Sequence, residues 1–370
     1  TCESACMFIS SFVGDSGFGK RCLFSRFGGY HWFHGFSHGR SRSIIMIQQF
    51  LPALEAEIKQ QRLGEAPVEL YEPIRYLMQL GGKRIRPVLC LLSYSLFKAD
   101  WEKVVPEALS IEIFHNFTLM HDDIMDKAPL RRGKQTVHEK WNDNIAILSG
   151  DVMLVNAYQY LNQCQHLSLA EFQHLLLRFN RTAAEVCEGQ QMDMNFESRS
   201  SVSVEEYIEM IRLKTSVLIG LSMEMGGILA GIEAEKAQVL YEIGECIGLG
   251  FQLKDDLLDV YGDPEKFGKQ VGGDILANKK TYLLIRALET AKGDDLTNLQ
   301  AWLAMENPNP VEKVAAVTQL YTDLGIRKET EAKINQYFDQ AFLSIDQLNL
   351  QPAQKEALGK FLAGLVDREV

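Results

Sequence analysis

The stretch that organises this chain is IEIFHNFTLMHDDIMDKAPLRR, residues 111–132. Its first half is apolar, as in a buried helix, and three aspartates follow it, Asp122, Asp123 and Asp126. Asp122 and Asp126 are four residues apart, so both side chains point from one face of a helix. Carboxylates that continue a buried face carry a large desolvation cost unless a cation meets them. The stretch therefore predicts a place where a divalent metal and phosphate meet.

A second acidic cluster, FQLKDDLLD at residues 251–259, repeats this pattern. Asp255 and Asp259 are four residues apart, with Asp256 between them, and apolar helical sequence again comes first. If the two helices face each other across a bundle, their carboxylates converge and repel unless cations bind. Oxygen ligands without histidine or cysteine favour Mg²⁺, which usually also contacts substrate phosphates. The paired clusters predict a site for magnesium and a diphosphate.

Basic residues suited to phosphate lie near glycines and near the acids. The segment GGKRIRP, residues 81–87, contains Lys83 and Arg86, three positions apart. Arg131 and Arg132 follow the first acidic cluster, and Lys214 lies on a helical stretch in the middle of the chain. Arginine binds phosphate with two parallel hydrogen bonds, and lysine acts as a point charge. These bases are candidates for the diphosphate-binding half of the site.

From Met46 to the end, apolar residues recur at intervals of three and four, the period of amphipathic helices. No sustained alternation of polar and apolar residues and no Asn-Gly hairpin signal appears. No Pro/Gly-rich linker divides residues 46–370. The sequence predicts a single large all-α helical bundle of roughly ten or more helices over this range.

Composition excludes several classes of protein. The chain has 370 residues and a formal net charge of −11, without a basic stripe, which argues against a nucleic-acid partner. Its 7 cysteines include no CxxC pair, which indicates free thiols in a reducing compartment and predicts a cytoplasmic protein. No uninterrupted apolar run is long enough to span a membrane, so we expect at most peripheral membrane contact.

Residues 1–45 differ from the rest of the chain. They are rich in Gly, Ser, Phe, His and Cys, with Glu3 and Asp15 as their acids, and they have no helical or strand period. We expect a mostly disordered leader or extension outside the fold, with Met46 as the natural start. An organelle-targeting segment is the alternative, because such segments are also rich in Arg and Ser and poor in acids.

In order along the chain, these motifs resemble those of the trans-isoprenyl (polyprenyl) diphosphate synthases. The matching segments are GGKRIRP at 81–87, HDDIMD at 121–126 followed by RRG, the pair Gly150-Asp151, GQQMD at 189–193, the pair Lys214-Thr215, FQLKDDLLD at 251–259, and the DI and NK pairs at 274–275 and 278–279. The match covers nearly all of residues 46–370, and none of residues 1–45. One local departure is Gln270–Gly273, which is a residue longer than in some relatives.

The resemblance implies an isoprenoid synthase-like all-α fold with a deep central cavity, usually in a homodimer. It implies that Mg²⁺ is the cofactor and that an allylic prenyl diphosphate and isopentenyl diphosphate are the substrates. The implied metal-binding residues are Asp122, Asp123, Asp126, Asp255, Asp256 and Asp259, and of these Asp122, Asp126 and Asp255 are the direct ligands. Implied contacts of isopentenyl diphosphate are Lys83, Arg86, His115 and Arg132. Implied groups around the allylic diphosphate are Arg131, Lys214, Thr215, Gln252, Lys269 and Lys279, with Gln190 and Asp193 lining the same cavity.

The residues just before the first aspartate motif set the cavity floor in the family. Here Phe117 lies five positions before Asp122, and Thr118 lies four before it. Aromatic residues at both positions would suggest a fifteen-carbon product. One aromatic followed by Thr118 favours the twenty-carbon product, geranylgeranyl diphosphate, with farnesyl or longer polyprenyl diphosphates as alternatives. Ordinary core packing is the other interpretation of Phe117.

Three other functions compete with a prenyl synthase. A class I terpene cyclase also uses an aspartate motif and Mg²⁺, but it binds no isopentenyl diphosphate and does not need GGKRIRP. A non-catalytic subunit of a heteromeric prenyl synthase typically loses an aspartate motif, and both are complete here. A purely structural bundle leaves the paired acids unexplained.

Overall fold

The computed structural model describes residues 42–60, 63–263 and 271–366, and the side chains from residue 49 onward. The first helix begins at Arg42, four residues before Met46. The rest of the predicted leader, residues 1–41, lies outside the described residues, and so does Lys269.

The described chain is almost entirely helical. In chain order its elements are α1 (Arg42–Gln60), α2 (Val68–Gln79), α3 (Ile85–Ser95), α4 (Val105–Met125), β1 (Leu130–Arg131), β2 (Lys134–Gln135), α5 (Val137–Lys140), α6 (Asp143–Leu161), α7 (Leu169–Ser198), α8 (Val204–Ile211), α9 (Val217–Leu229), α10 (Ala234–Tyr261), α11 (Gly273–Leu276), α12 (Tyr282–Thr290), α13 (Gly293–Ala304), α14 (Pro310–Asp323), α15 (Ile326–Ser344) and α16 (Pro352–Val366). Short 3₁₀ helices cover Trp101–Val104 and Ile345–Leu348. The prediction of an all-α fold is confirmed.

Three local features were not predicted from the sequence. A two-residue hairpin joins β1 to β2, with Leu130 paired to Gln135. A π-helical segment, Arg212–Ser216, interrupts the predicted long helix between α8 and α9. Helix α13 begins at Gly293 and buries Leu299.

Serine side chains fix the first turns of two helices that carry site residues. At the start of α7 the Glu171 backbone N–H donates to Ser168 Oγ (3.3 Å), and the Ser168 N–H donates to Glu171 Oε2 (2.8 Å). Ser203 and Glu206 form the same reciprocal pair at the start of α8. Such capping boxes satisfy backbone donors that a helix end otherwise leaves without partners.

The described residues divide into two compact units. One unit comprises the described residues up to Ile85 together with Ile113–Asn156. The other comprises Arg86–Glu112 and the described residues from Ala157 onward. The prediction that residues 46–370 form a single domain stays a prediction.

Each unit has its own buried apolar side chains. In the first unit they include Phe50, Leu54, Ile74, Phe114 and Met153. In the second unit, α10 packs against α9 and α15, and a C-terminal cluster that includes Leu283, Val317 and Ile326 is buried below it. No helix formed by the described residues is long and apolar enough to cross a membrane.

Candidate functional site

The first aspartate motif lies at the C-terminal end of α4. Asp122 is half-buried, Asp126 is exposed, and Asp123 between them is buried. The Asp126 N–H donates to the Asp122 carbonyl oxygen at 2.9 Å, so the helical turn continues through the motif. Asp122 and Asp126 therefore keep the common face that their spacing predicts.

Asp123 binds an arginine of the hairpin. Arg131 Nε donates to Asp123 Oδ2 at 2.7 Å, and a terminal nitrogen of Arg131 is 3.9 Å from Asp122 Oδ2. The other oxygen, Asp123 Oδ1, is buried and has no hydrogen-bond partner among the described residues. Asp123 thus holds the Arg131 guanidinium beside Asp122, where a cationic group can contact an anion.

The hairpin turn places Arg132 against the GGK loop. Arg132 and Gly133 have φ values of 53° and 72°, and paired positive φ angles fit the tight turn of a two-residue hairpin. The Arg132 guanidinium donates to the Gly81 carbonyl oxygen. Two of the predicted phosphate-binding elements, the RRG turn and the GGK loop, therefore meet within one unit.

The three bases of GGKRIRP have different environments. Lys83 is exposed. Arg84 turns inward, where it donates to Glu55 Oε1 at 2.9 Å and to the Met78 carbonyl at 2.7 Å. Burial lowers the pKa of the Arg86 guanidinium to about 10, while the Glu112 carboxylate opposes part of that shift, so Arg86 is still cationic at neutral pH. Arg84 serves the fold, which leaves Lys83 and Arg86 as substrate candidates.

An aromatic row precedes the first motif on α4. The half-buried Phe117 ring lies 5.6 Å from the Phe114 ring and 4.8 Å from the His121 ring, measured between centroids. Thr118 Oγ1 donates to the carbonyl of His115, itself half-buried, at 2.8 Å. Phe117 thus packs between two aromatic neighbours and lies about one and a half turns before Asp122.

The pair Gly150-Asp151 lies against the His121 ring. A Cβ atom at Gly150 would lie 2.2 Å from His121 Nε2, so only glycine allows α6 to approach the imidazole. His121 Nε2 also lies 3.1 Å from the Ile147 carbonyl and 3.9 Å from Asp151 Oδ1. Sequence reasoning did not single out His121, although it lies one turn after Phe117 and directly before Asp122.

The second motif, on α10, has the same division as the first. Asp255 is exposed, Asp259 is half-buried, and Asp256 between them is buried. Asp256 accepts hydrogen bonds from the Tyr207 hydroxyl and, at 3.2 Å, from Gln252 Nε2. Burial raises the pKa of Asp256 to about 7, although the Tyr207 hydrogen bond acts in the opposite direction.

Asp259 joins α10 to the segment that carries Lys279. The Asp274 backbone N–H donates to Asp259 Oδ2 at 2.9 Å, and the Gly272 N–H donates to the Asp259 carbonyl at 2.6 Å. Lys279 is exposed, and its Nζ lies 3.9 Å from Asp274 Oδ1. The DI and NK pairs therefore bring a lysine near the outer face of the second motif.

The π-helical segment carries Lys214 and Thr215. Lys214 Nζ donates to Asp193 Oδ2 at 2.7 Å, and Thr215 Oγ1 donates to Gln252 Oε1 at 3.3 Å. A Cβ atom at Gly189 would lie 2.2 Å from the Lys214 backbone nitrogen. Glycine at 189 thus permits close contact between α7 and the π segment, a type of segment that is frequent at functional sites.

A linked set of polar side chains results in the second unit. Lys214 is hydrogen-bonded to Asp193, and its chain neighbour Thr215 is hydrogen-bonded to Gln252. Gln252 and Tyr207 both donate hydrogen bonds to Asp256. Gln190 is half-buried on α7, one turn before Asp193. Tyr207 was not predicted from the sequence, and Asp274 was noted in the DI pair without a role, because only the tertiary structure brings them to the motif.

Of the six aspartates predicted as metal ligands, two have a different environment from the other four. Asp123 and Asp256 are buried and accept hydrogen bonds from Arg131 and Tyr207, respectively. The other four are exposed or half-buried. The sequence predicted all six as metal-binding residues, with Asp122, Asp126 and Asp255 as direct ligands, but spacing alone does not reveal that the middle carboxylates are buried and held by other elements.

Comparisons with known proteins identify the family of this chain. A profile of the polyprenyl synthetase family matches residues 67–321. A short chain isoprenyl diphosphate synthase of Methanocaldococcus jannaschii is 40% identical over 289 residues, 78% of this chain and 87% of that protein. A geranylgeranyl pyrophosphate synthase of Geoglobus acetivorans is 36% identical over 309 residues, 84% of this chain and 94% of that protein. A crystal structure of a geranylgeranyl pyrophosphate synthase superimposes with a TM-score of 0.82 at 43% identity, covering 88% of this chain and 99% of that one. The chain belongs to the polyprenyl synthetase family, whose members are transferases.

Proposed function

We propose that this protein is a Mg²⁺-dependent prenyltransferase that condenses an allylic prenyl diphosphate with isopentenyl diphosphate and releases geranylgeranyl diphosphate. In support, similar proteins are named short chain isoprenyl diphosphate synthase and geranylgeranyl pyrophosphate synthase. The observation that carries the proposal is the shared division of both aspartate motifs into two exposed or half-buried carboxylates and one buried carboxylate.

The donor set fits magnesium. Asp122 and Asp126 offer carboxylate oxygens on one face of α4, and Asp255 and Asp259 do so on α10. Carboxylate oxygen is the protein ligand that Mg²⁺ prefers. We assign these four residues as the metal ligands, with Asp123 and Asp256 positioning their neighbours. Bound Mg²⁺ would neutralise diphosphate charge and so lower the cost of breaking the allylic C–O bond.

The basic residues bind and orient the two diphosphates in this proposal. Arg131, held by Asp123, contacts the allylic diphosphate, and Lys214 and Lys279 add positive charge. Lys269, outside the described residues, is assigned to the same diphosphate. Isopentenyl diphosphate is bound by Lys83, Arg86, His115 and Arg132, while Gln190 and Asp193 line the allylic side.

Neutral dipoles stabilise the carbocation that forms when the allylic C–O bond breaks. The Thr215 hydroxyl and the Gln252 amide, already hydrogen-bonded to each other, present oxygen atoms that stabilise positive charge left by the departing diphosphate. The double bond of isopentenyl diphosphate then attacks the allylic cation, a new C–C bond forms, and a proton is lost to the departed diphosphate. In this proposal, the apolar helical segments that precede the two motifs exclude water, which would otherwise capture the cation.

Phe117 sets the product length in this proposal. Its ring is fixed between Phe114 and His121 below the first motif, and Thr118 leaves the adjacent position without an aromatic ring. A growing chain that reaches Phe117 stops there. Farnesyl or longer polyprenyl products are the alternatives, and product analysis with each allylic primer separates them.

The proposal is tested with the purified protein, radiolabelled isopentenyl diphosphate, an allylic diphosphate and Mg²⁺. Mg²⁺-dependent incorporation into a twenty-carbon product is expected, and EDTA should abolish it. Asp126→Ala should lower kcat/KM by about 10²–10³-fold, in the range seen when a group that stabilises developing charge is removed. Asp339→Ala, at an exposed aspartate of α15, is the matched control and should keep full activity.

Two outcomes would reject the proposal. Absence of Mg²⁺-dependent incorporation would leave the non-catalytic subunit or another function. Full activity of Asp126→Ala would reject the metal assignment. We also propose that the protein is a cytoplasmic homodimer, on the basis of its free thiols and its family.

A further inference from the structure

A second group of metal-ligating side chains lies outside the aspartate motifs. Glu107 is in the first turn of α4, and Cys164 and His166 lie in the loop between α6 and α7. A carboxylate oxygen, the thiol sulfur and an imidazole nitrogen of these residues all lie within 4.8 Å of one another. The carboxylate, thiol and imidazole differ from the oxygen-only set of the motifs, so this cluster favours a different metal.

The separation of the thiol sulfur from the imidazole nitrogens is close to that of a tetrahedral zinc site. Cys164 Sγ lies 3.8 Å from His166 Nδ1 and 3.9 Å from its Nε2. Zinc bonds of about 2.3 Å to sulfur and about 2.0–2.1 Å to nitrogen imply a sulfur–nitrogen separation of roughly 3.6 Å at a tetrahedral angle. The sulfur is nearly equidistant from both ring nitrogens, so a rotation of the ring turns either one toward an ion.

One carboxylate oxygen of Glu107 is buried without a hydrogen-bond donor in the part of the chain that the structure describes. The Glu107 side chain is buried, with 2% of the residue exposed, and Oε2 has no hydrogen-bond partner among the described residues. A buried carboxylate oxygen without a donor is costly, and a cation removes that cost. Burial raises the pKa of the Glu107 carboxyl to about 6, as expected for a poorly solvated group.

The imidazole is also prepared to bind a metal. Partial burial and the nearby Lys98 ammonium lower the pKa of the His166 imidazole below its usual value. The Leu229 carbonyl accepts a hydrogen bond from the ring, and this contact opposes the lowering of the pKa. A ligating histidine commonly donates its second N–H to a backbone carbonyl, which orients the ring.

We propose that Glu107, Cys164 and His166 form a zinc site, in which Zn²⁺ is bound by one carboxylate oxygen, the Cys164 thiolate and one imidazole nitrogen. Binding displaces the thiol proton to solvent and leaves a fourth position for water. The site joins the loop after α6 to the first turn of α4. None of its residues belongs to the assigned diphosphate or magnesium groups, so the ion would link these two segments without taking part in the proposed prenyl transfer.

Cobalt is the probe, because thiolate bound to Co²⁺ gives a near-ultraviolet charge-transfer absorption that carboxylate sites do not give. The full chain is used with Cys2, Cys6 and Cys22 changed to serine, which removes the thiols outside the described residues. Metal-free protein should develop this absorption, saturating at one equivalent of Co²⁺. One equivalent of Zn²⁺ should remove it, and excess Mg²⁺ should not, because Mg²⁺ binds thiolate poorly.

Variants assign the signal to the cluster. Cys164→Ser should lose the charge-transfer absorption, and His166→Gln and Glu107→Gln should weaken Co²⁺ binding at least tenfold. Cys187→Ser, at an exposed cysteine of α7, is the matched control and should keep the signal. Zn²⁺ should also raise the Tm of the parent by a few degrees and leave that of Cys164→Ser unchanged.

Folding of each variant is checked by circular dichroism and by its Tm without metal. His166 is exposed, so His166→Gln tests the site without loss of core packing. No charge-transfer absorption in the parent, or an absorption that survives Cys164→Ser, would overturn the proposal. Neither result depends on enzymatic activity, so a failure here is distinguishable from a failure of the proposed prenyl transfer.

Discussion

Asp123 and Asp256 occupy the same position in their motifs and have the same kind of environment. Each carboxylate is buried and accepts a hydrogen bond from a side chain on another element, Arg131 for Asp123 and Tyr207 for Asp256. Burying a carboxylate is tolerated when charged or hydrogen-bonding partners satisfy it. The middle aspartates therefore position other groups, and the outer ones stay accessible to metal.

Phe117→Ala is the prediction at the residue scale. Removing the ring that packs between Phe114 and His121 opens space below the first motif, so products longer than twenty carbons should appear on reversed-phase chromatography. Phe172→Ala, at a half-buried phenylalanine of α7, is the control and should leave the product unchanged. An unaltered product length in Phe117→Ala would show that Phe117 is ordinary core packing.

At the scale of elements, the π-helical segment between α8 and α9 is the feature that sequence periodicity did not predict. One extra residue in a turn moves Lys214 and Thr215 off the regular helical positions. The close approach of Gly189 on α7 accompanies this segment, since any side chain there would meet the Lys214 backbone. The two features together determine where the lysine and the hydroxyl lie.

Gly189→Ala should disturb this segment. The added methyl group would lie 2.2 Å from the Lys214 nitrogen, and overpacking of this kind costs about 1–3 kcal/mol. We expect a lower free energy of unfolding in urea and a lower kcat. Gly359→Ala on α16, where a Cβ atom would meet nothing within 4 Å, is the control and should be neutral or slightly stabilising. Wild-type stability and kcat in Gly189→Ala would contradict the close approach.

An ion pair between a half-buried arginine and a buried carboxylate joins α7 to α9. Arg178 Nε donates to both oxygens of Glu224, at 2.8 Å and 2.9 Å, and Glu224 is only 3% exposed. Burial raises the pKa of Glu224 above its usual 4.5, and Arg178 opposes that shift. The pair links two helices next to the π segment.

Arg178→Ala should destabilise the protein by about 3–5 kcal/mol, because it leaves a buried carboxylate without its cation. The pKa of Glu224 in the folded state then rises further above the unfolded value. Between the unfolded-state and folded-state pKa values of Glu224, the native state binds more protons than the unfolded state does. The free energy of unfolding should therefore fall as pH rises from below 4.5. Urea titrations at a series of pH values measure this slope.

The double variant Arg178→Ala/Glu224→Gln is the control for that prediction. Glutamine cannot ionise, so the added pH dependence should vanish and part of the stability should return. If Arg178→Ala and the double variant have the same pH profile, Glu224 is not the group responsible.

At the scale of the whole molecule, the predicted homodimer has a candidate contact surface on α6. Leu148 and Val155 are seven residues apart, two turns on one helical face, and their exposed fractions are 57% and 55%. Large apolar side chains exposed together commonly mark an interaction surface. Leu148→Glu/Val155→Lys should therefore dissociate the dimer.

Light scattering measures the outcome. The parent should show twice the 41.9 kDa chain mass, and the α6 double variant should show the chain mass. Leu169→Lys, at an exposed leucine at the start of α7, should stay dimeric. A monomeric parent would contradict the homodimer, and a dimeric double variant would place the interface elsewhere.

The amino-acid sequence alone determined the helical class and the acidic face of each motif. Helical periodicity and four-residue spacing are local properties, and the outer pairs Asp122/Asp126 and Asp255/Asp259 do lie in helical turns of α4 and α10. The GGK and RRG segments were also recognised as basic groups beside glycines. Each of these depends on residues within a few positions of one another.

Tertiary structure decided which of these residues face the site. Asp256 is separated from Tyr207 by 49 positions, and Arg84 is separated from Glu55 by 29. Partners this far apart are not encoded in any local period, so the sequence could not tell an inward carboxylate or guanidinium from an outward one. The hairpin turn at Arg132 and the approach of Gly189 to Lys214 depend likewise on contacts that form only when distant segments pack.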